Sequence, residues 1–446
     1  MKISARNLGV LKQAEFEVGD LTLICGDNNT GKTYATYALF GFLSNWRRLL
    51  SVDIPKSTID VLVKDGVARI DVRTLVKQAS EILSTGCADY VDELAAVFAS
   101  RAERFKPTEF RISLNGGALD KAADRAFHGK WRGASEDTLF SFSKESDDFD
   151  LVISLLTRDN SVLPRRTIHE VISRASCELL FRRLFARPFI ASAERTGGTM
   201  FRDQLEYNPR QMSLFSRHKP DYPLPVQENV DFIRRLEQTV KADSFIARDH
   251  KHILAGFSDI IGGDYRVKDA DSIYFKPARR RLRLTMDESS SAVRSLLIIG
   301  LYLRHVARPG DLLMIDEPEL NLHPRNQRRV ARLLAQLVNV GIRVFATTHS
   351  DYIVKELNTL IMLKQDKPNL KRIAKDNGYR PEELLTPDQI QVYLAEPTET
   401  PSGDMSSHSL VRAPIDSELG IEARSFDNTI NEMNEIQDAI IWGDDG

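Results

Sequence analysis

Residues 26–33, GDNNTGKT, have the residue types and the spacing of a phosphate-binding loop (P-loop). The glycines allow the backbone to turn N–H groups towards phosphate oxygens. Lys32 can reach the β- and γ-phosphates of a nucleoside triphosphate, and the Thr33 hydroxyl can bind Mg²⁺. An ordinary glycine-rich turn is the alternative interpretation. The residues predicted to contact ATP are Gly26, Asn28, Asn29, Thr30, Gly31, Lys32 and Thr33.

Two carboxylates and a histidine stand at the ends of two later apolar runs. In residues 312–318, LLMIDEP, Asp316 can hold Mg²⁺ through water and Glu317 can orient or deprotonate an attacking water. In residues 344–350, VFATTHS, a neutral His349 keeps one N–H that can donate to the γ-phosphate or to that water. Alternatively, the two carboxylates only cap the turn that follows, and the histidine has only a structural role. The predicted catalytic residues are Lys32, Glu317 and His349, and the predicted metal ligands are Thr33 and Asp316.

These motifs need a sheet that holds them together. The apolar run 21–25 before the loop predicts a strand, and residues 34–43 predict a buried helix. Strands predicted at 312–315 and 343–347 flank a helix predicted at about 325–339, and this order implies a parallel sheet. Ligands bind at the carboxyl edge of such sheets. The predicted fold class is therefore α/β.

The 446-residue chain divides into a head in two halves, an insert and a tail. Residues 1–44 contain the P-loop, and residues 188–396 contain the carboxylates and the histidine. The insert, residues 45–187, has mixed helical patterns without sustained heptads and is predicted to be mainly helical. The tail, residues 397–446, is polar and then acidic. A basic run at 278–283 is typical of an exposed strand face.

The P-loop, IDEP and TTHS, in this order, resemble the head of an ABC-class ATPase. DEPELNLHP, residues 316–324, is similar to the RecF, SMC-like and OLD-like branch of that class. The resemblance covers both ends of the head but not the insert. It implies an ABC-type P-loop fold that binds ATP and Mg²⁺ and hydrolyses ATP. It also implies a homodimer or higher homo-oligomer, in which one subunit completes the nucleotide site of the other.

The same resemblance places an ABC signature just before the strand that carries Asp316. The best candidate is ESSSAVRSL, residues 288–296, which lacks both glycines of the usual form. A serine-rich helix start could still present amides and hydroxyls to the γ-phosphate of the opposing subunit, and the residues concerned are Ser289, Ser290 and Ser291. A plain helix cap is the alternative, and the choice among the serines stays open.

ASAERTGG, residues 191–198, resembles the Q-loop of these heads in position but contains no glutamine. Glu194 and Arg195 are its candidate functional residues. A salt-bridged loop is an equally good interpretation.

The composition indicates neither a membrane protein nor an overall positive charge that would attract nucleic acid. The 61 Lys and Arg residues are balanced by 63 Asp and Glu residues, so nucleic acid is not indicated by charge, although a local basic face is compatible with it. The three cysteines match neither a disulfide framework nor zinc-ligand spacing. No apolar run is long enough to span a bilayer. We expect a soluble, cytoplasmic protein.

The resemblance extends to stand-alone ATPases of bacterial phage-defence systems, such as the ATPase subunit of the PARIS system. It rests further on QVYLAE, residues 391–396, and on residues 420–435. It implies a sensor and scaffold that controls a separate effector, a nuclease or toxin, in response to a phage-encoded trigger protein. No DxD motif follows His349, so a nuclease site of its own is not expected. The alternatives are a SMC/RecF-like ATPase that acts on DNA in repair or recombination, and a scaffold that binds ATP without hydrolysing it.

Overall fold

The computed structural model describes residues 1–133, 137–156, 163–200, 222–268, 272–398, 407–421 and 435–437. The strands are β1 Lys2–Leu8, β2 Leu11–Glu17, β3 Leu21–Cys25, β4 Val67–Asp71, β5 Glu109–Ser113, β6 Phe127–Arg132, β7 Thr138–Lys144, β8 Asp150–Leu155, β9 Pro188–Ala191, β10 Gly263–Lys268, β11 Ser272–Pro277, β12 Leu284–Thr285, β13 Leu312–Asp316, β14 Arg343–Thr348, β15 Ile390–Pro397, β16 His408–Arg412, β17 Ile415–Asp416 and β18 Gly420–Ile421.

The helices are α1 Lys32–Leu49, α2 Lys56–Asp65, α3 Val72–Val97, α4 Gly116–Ala123, α5 Arg165–Phe181, α6 Arg195–Met200, α7 Leu224–Arg234, α8 Leu236–Thr239, α9 Phe245–Asp249, α10 Lys251–Ile261, α11 Ser291–Leu301, α12 Pro324–Asn339, α13 Asp351–Met362 and α14 Pro368–Asp376. Short 3₁₀ segments lie at Ala102–Arg104, Pro381–Glu383 and Pro387–Gln389, and a π-helical turn at Tyr302–Val306 continues α11.

A nine-stranded mixed sheet forms the centre of the head, in the order β5-β1-β2-β16-β15-β3-β14-β13-β9. The five strands from β15 to β9 are parallel to one another. Antiparallel pairs, β1 with β2, β1 with β5 and β15 with β16, build the other side. The carboxyl ends of β3, β14 and β13 therefore meet at one edge. The predicted α/β class, with the P-loop between a buried strand and a helix, is confirmed.

Both faces of this sheet are covered, because successive side chains of a strand point in opposite directions. In β13, Leu312 and Met314 pack into the core that contains α1, whereas Leu313 and Ile315 pack into the core that contains α11, α12 and α13. All four side chains are buried. This two-sided burial explains why the central strands appear in the sequence as continuous apolar runs.

The predicted insert contains more than helices. Strands β4, β8, β7 and β6 form a four-stranded antiparallel sheet in that order, which the sequence-based prediction missed. These strands are no shorter than β3 or β13, but one face of each is exposed, as in FHGKWR of β6, so they lack the continuous apolar runs of the central strands. Strand β5 joins the central sheet beside β1, and helix α1 runs on to Leu49, so the two regions share elements across residue 45.

The sheet also extends beyond the boundary predicted at residue 396. Strand β16 lies between β2 and β15, parallel to the former and antiparallel to the latter. Most of the acidic stretch and of residues 420–435 lies outside the described residues. The basic run, residues 278–283, was predicted as a strand face, but none of its residues is in a strand: residues 278–281 form a turn and bends, and β12 begins after the run, at Leu284. Among the described helices, none is long and apolar enough to cross a membrane.

Candidate active site

Strand register brings the three motifs together at one edge of the sheet. Cys25, the last residue of β3, pairs with Thr348 of β14, and Thr347 pairs with Asp316, the last residue of β13. The P-loop follows the first of these strand ends, the carboxylates follow β13, and His349 follows β14. The sequence-predicted residues therefore lie side by side, although Gly26 and His349 are 323 positions apart along the chain.

The P-loop is a tight backbone turn that only certain residues can form. Asn29 and Gly31 have positive φ values, 65° and 95°. A Cβ on Gly31 would lie 2.6 Å from Leu11 Cγ, so the position requires glycine both for its conformation and for space. Helix α1 starts at the next residue and contributes free N–H groups and a positive dipole end, which suit a phosphate.

Lys32 is buried at the base of this loop. Its ammonium donates to the carbonyl oxygens of Gly26 and Asp27, both at 2.7 Å. Burial lowers the pKa of Lys32, and the negative charges of Glu317 and Asp316 oppose that shift. The cation thus lies between the loop and the carboxylates, which is where phosphate oxygens would sit in a P-loop complex.

Asp316 is almost fully buried and is held by two hydroxyl groups. Thr33 Oγ1 donates to Oδ2 at 3.1 Å, and the Thr347 hydroxyl donates to Oδ1. Burial raises the pKa of Asp316 to about 6, although both hydroxyls favour the charged form. A buried carboxylate next to a threonine hydroxyl is a set of oxygen donors that suits Mg²⁺. The residues present therefore fit the predicted metal, with Thr33 and Asp316 as its ligands.

Glu317 and His349 face each other across the strand ends. Glu317 has a positive φ of 52°, and its N–H donates to the carbonyl and the hydroxyl oxygen of Thr347, both at 3.2 Å. His349 Nδ1 lies 3.4 Å from Glu317 Oε1. Both side chains are partly exposed, the histidine by 44% and the glutamate by 23%. They can therefore meet a substrate, and their catalytic roles stay predictions.

Arg195 is the central buried group of the predicted Q-loop segment. Its guanidinium donates to four carbonyl oxygens, those of Ser192, Ser295, Asp316 and Glu317, at 2.6–2.8 Å. Burial lowers its pKa to about 10, and nearby carboxylates oppose the shift. Only 1% of the surface of Arg195 is exposed. The Arg195 side chain thus links helix α11, through Ser295, to the backbone of Asp316 and Glu317.

Glu194, its neighbour, lies on the other side of the site. Tyr37 of helix α1 donates its hydroxyl to Glu194 Oε2 at 2.9 Å. The charge of Glu194 also raises the pKa of Asp316, so the two carboxylates are close. The segment resembling a Q-loop therefore does reach the predicted metal site, with a glutamate in place of glutamine.

The three signature serines have different environments. Ser289 is buried, and its hydroxyl donates to the Thr285 carbonyl at 2.7 Å. Ser290 caps helix α11, because its Oγ accepts from the N–H of Val293 at 3.4 Å. Ser291 is exposed at the helix start. Among the described residues, no hydrogen bond joins these serines to the P-loop of the same chain, and their contact with a nucleotide stays a prediction.

Three further residues belong to the site but were not predicted. Thr347 holds Asp316, Tyr37 holds Glu194, and Glu319 accepts from the residues at the end of β14. A polar residue inside an apolar run, as in VFATTHS, is the signal that could have identified Thr347. Glu319 lies within DEPELNLHP, but its partner is not visible in the sequence.

Comparison with known proteins supports the ATPase interpretation at the level of a domain. Residues 228–354 match the AAA ATPase domain family, and this region contains the candidate signature, both carboxylates and His349. It does not include the P-loop. No curated protein matches the chain.

Solved SMC head domains are similar to the whole chain at low identity. An SMC head bound to the C-terminal winged-helix domain of ScpA is 14% identical, with 92% of this chain and 97% of that chain covered and a TM-score of 0.37. The SMC head domain from Thermotoga maritima is 12% identical, with 93% and 98% covered and a TM-score of 0.32. The Pyrococcus furiosus Smc head bound to the C-terminal domain of ScpA is 13% identical, with 98% of both chains covered and a TM-score of 0.34. Likenesses this distant carry no argument about partners or activity.

Proposed function

We propose that the chain is an ATP-dependent switch that binds MgATP, closes in pairs over it and hydrolyses it. The observation that carries the proposal is the alignment of three strand ends, which places Lys32, Thr33, Asp316, Glu317 and His349 at one edge. P-loop amides and an ammonium group suit phosphates, the buried hydroxyl and carboxylate suit Mg²⁺, and a partly exposed glutamate suits an attacking water.

Each residue has a distinct part in this proposal. Lys32 contacts the phosphates from the base of the loop, and Glu317 orients or deprotonates the water. Arg195 keeps the backbone of Asp316 and Glu317 in place through their carbonyl oxygens, so the carboxylates need not rearrange. Mg²⁺, when bound, neutralises charge on the β- and γ-phosphates.

Closure in pairs follows from the position of the signature serines. Ser290 and Ser291 are exposed at the start of an 11-residue helix, and in the part of the chain that the structure describes no hydrogen bond joins them to their own P-loop. A second subunit can place its own P-loop against this helix end, whose dipole and amides favour a γ-phosphate. Release of that phosphate would then loosen the interface, which makes the head a switch.

The output of the switch is proposed to be a separate effector, a nuclease or toxin used in phage defence. This part rests on the resemblance of the motifs to stand-alone defence ATPases. Purification of the chain together with the product of its neighbouring gene, with and without ATP, tests it. A complex that depends on ATP in wild type and is lost in Lys32→Ala supports the proposal, and the absence of any complex contradicts it.

Hydrolysis is tested by phosphate release from ATP with Mg²⁺. Wild type should release phosphate, and Lys32→Ala, which loses the phosphate contact, should not. Glu317→Gln should bind ATP as tightly as wild type but hydrolyse it on the order of 100-fold more slowly, which is typical for loss of a general base. If wild type binds ATP but releases phosphate no faster than Lys32→Ala, the chain is a scaffold that does not hydrolyse ATP.

A second candidate function, action on DNA, is favoured by one surface. Strands β10, β11 and β12 form an antiparallel sheet that packs Tyr265 and Phe275 into the core. Its opposite face carries the cations Arg266, Lys276 and Arg283, all exposed, with Arg283 lying 5.2 Å from the ring centre of Tyr274. We call this surface, together with the exposed turn residues Arg279, Arg280 and Arg281, the basic face.

Among the described residues, the acidic neighbours of the basic face are Asp264, which lies 3.4 Å from Arg266, and Asp287 and Glu288, which follow β12. Asp269 and Asp271, between β10 and β11, lie outside the described residues. A concentration of arginines suits the phosphates of duplex DNA. The surface also lies immediately before the candidate signature in the chain, so a ligand there could influence the switch.

Binding of a short fluorescent duplex, measured by anisotropy over a range of salt concentrations, tests this function. Each phosphate contact contributes about 0.9 to the salt slope, so Arg279→Ala, Arg280→Ala and Arg281→Ala combined should reduce the slope by up to about 2.7. A matched control removes three exposed cations of α14, Lys371, Arg372 and Lys375, and should leave the slope unchanged. No binding by wild type, or equal slopes for both triple variants, would exclude this surface as a DNA site.

A further inference from the structure

Glu319 is a buried carboxylate that lies beside the end of strand β14. Its side chain is 4% exposed. Oε1 accepts from the Thr348 hydroxyl at 2.7 Å and from the backbone N–H of His349 at 2.8 Å. His349 Nδ1 lies 3.4 Å from the same oxygen. Oε1 of Glu319 therefore accepts hydrogen bonds from the Thr348 hydroxyl and the His349 backbone, and the His349 imidazole lies beside it.

The imidazole of His349 is bounded on its Nδ1 edge by two carboxylates. Glu317 Oε1 and Glu319 Oε1 both lie 3.4 Å from Nδ1. In a neutral imidazole one ring nitrogen carries the proton and the other is an acceptor, and the partner of each nitrogen decides which is which. An ionised carboxylate can only accept. Neither contact has the geometry of a hydrogen bond, but two carboxylate oxygens beside Nδ1 favour the neutral ring that carries its proton there and leaves Nε2 as an acceptor.

The two carboxylates differ in how firmly they are held. Glu317 is 23% exposed, whereas Glu319 accepts two hydrogen bonds, from the Thr348 hydroxyl and the His349 backbone, and is almost completely enclosed. Its second oxygen, Oε2, has no hydrogen-bond partner among the described protein groups. A rigid acceptor dictates the orientation of a ring more strongly than a mobile one. Glu319 is thus the better candidate to fix His349.

We infer that Glu319 is a positioning residue that orients His349 and keeps the proton of its neutral ring on Nδ1. The consequence for catalysis rests on the proposed function. With no proton on Nε2, the neutral ring accepts a hydrogen bond from the attacking water, whereas the sequence suggested that it donates one to the γ-phosphate or to that water. The proton location itself does not depend on ATP and can be measured without it.

The test is the two-bond ¹H–¹⁵N correlation spectrum of histidine-labelled full-length protein without nucleotide, at about pH 8, where an ordinary histidine is neutral. His349→Gln identifies the signals of His349. Wild type should show the proton on Nδ1, and so should Glu317→Gln, because Glu319 is still present. Glu319→Met, which removes the acceptor but keeps an unbranched side chain, should shift the proton towards Nε2.

Three results would overturn the inference: a wild-type proton on Nε2, a shift in Glu317→Gln, or an unchanged proton in Glu319→Met. If Glu319→Met does not fold, the first two comparisons still decide. A second measurement links the proton location to catalysis. Glu319→Gln should lower kcat on the order of 10-fold with little change in KM, because the residue does not touch the substrate. A chain that hydrolyses no ATP would refute the proposed function and leave the spectra as the test of the inference.

Discussion

Replacement of Arg195 should destabilise the protein more than replacement of almost any exposed arginine. Four hydrogen bonds from a buried guanidinium to carbonyl oxygens are lost in Arg195→Met, and each contributes a net of about 1 kcal/mol. The expected loss in the free energy of unfolding is therefore about 4 kcal/mol. Arg195→Lys keeps the charge but has three donors on a compact head group, so it should lose about 2 kcal/mol.

Urea unfolding followed by circular dichroism measures these differences, provided that the slope of the free energy against urea is unchanged. Arg280→Met is the matched control, because Arg280 is exposed in the turn after β11, and it should change stability by less than about 0.5 kcal/mol. If both Arg195 variants unfold within about 1 kcal/mol of wild type, the four bonds do not hold the site together as described.

Other predictions concern nucleotide binding, the signature helix and the thiols. Lys32→Ala should abolish binding of a fluorescent ATP analogue, and binding equal to wild type would contradict the P-loop assignment. Ser290→Ala should cost about 1 kcal/mol in urea unfolding because it removes a helix cap, whereas Ser291→Ala should cost less than about 0.5 kcal/mol; equal losses would contradict the capping role. All three cysteines are buried with a raised thiol pKa, so a thiol reagent should label none before unfolding and three afterwards, and rapid labelling of the native protein would contradict their burial.

The sequence was sufficient for the buried parallel strands at the centre of the sheet, although not for β5 and β16, and for the positions of the motifs that these strands carry. Strands buried on both faces are continuous apolar runs, as in LLMID of β13, and a P-loop is a local pattern with a local physical cause. The sheet of the insert was missed because its strands are half-exposed and so lack the continuous apolar runs of the central strands, even where they alternate, as in TLFSFSK of β7. Local pattern therefore predicts fully buried elements better than half-exposed ones.

Contacts between distant segments could not be predicted. Glu319 meets His349 only because β13 and β14 pair in one register, which joins residues 30 positions apart. Arg195 reaches carbonyl oxygens 100 and 121 positions away. Neither distance is encoded in residue types or spacing. The sequence indicated which residues are reactive, and the structure shows which buried groups hold them.

The mass of the protein in solution with saturating ATP and Mg²⁺ tests the central claim most directly. The chain has a mass of 50.4 kDa, and wild type and Glu317→Gln should both reach at least twice that mass with ATP in light scattering after gel filtration. Slow hydrolysis should make the assembled form of Glu317→Gln the longer-lived one, and Lys32→Ala should stay at the mass of one chain. A single-chain mass for wild type and Glu317→Gln under the same conditions would contradict a switch that closes over ATP.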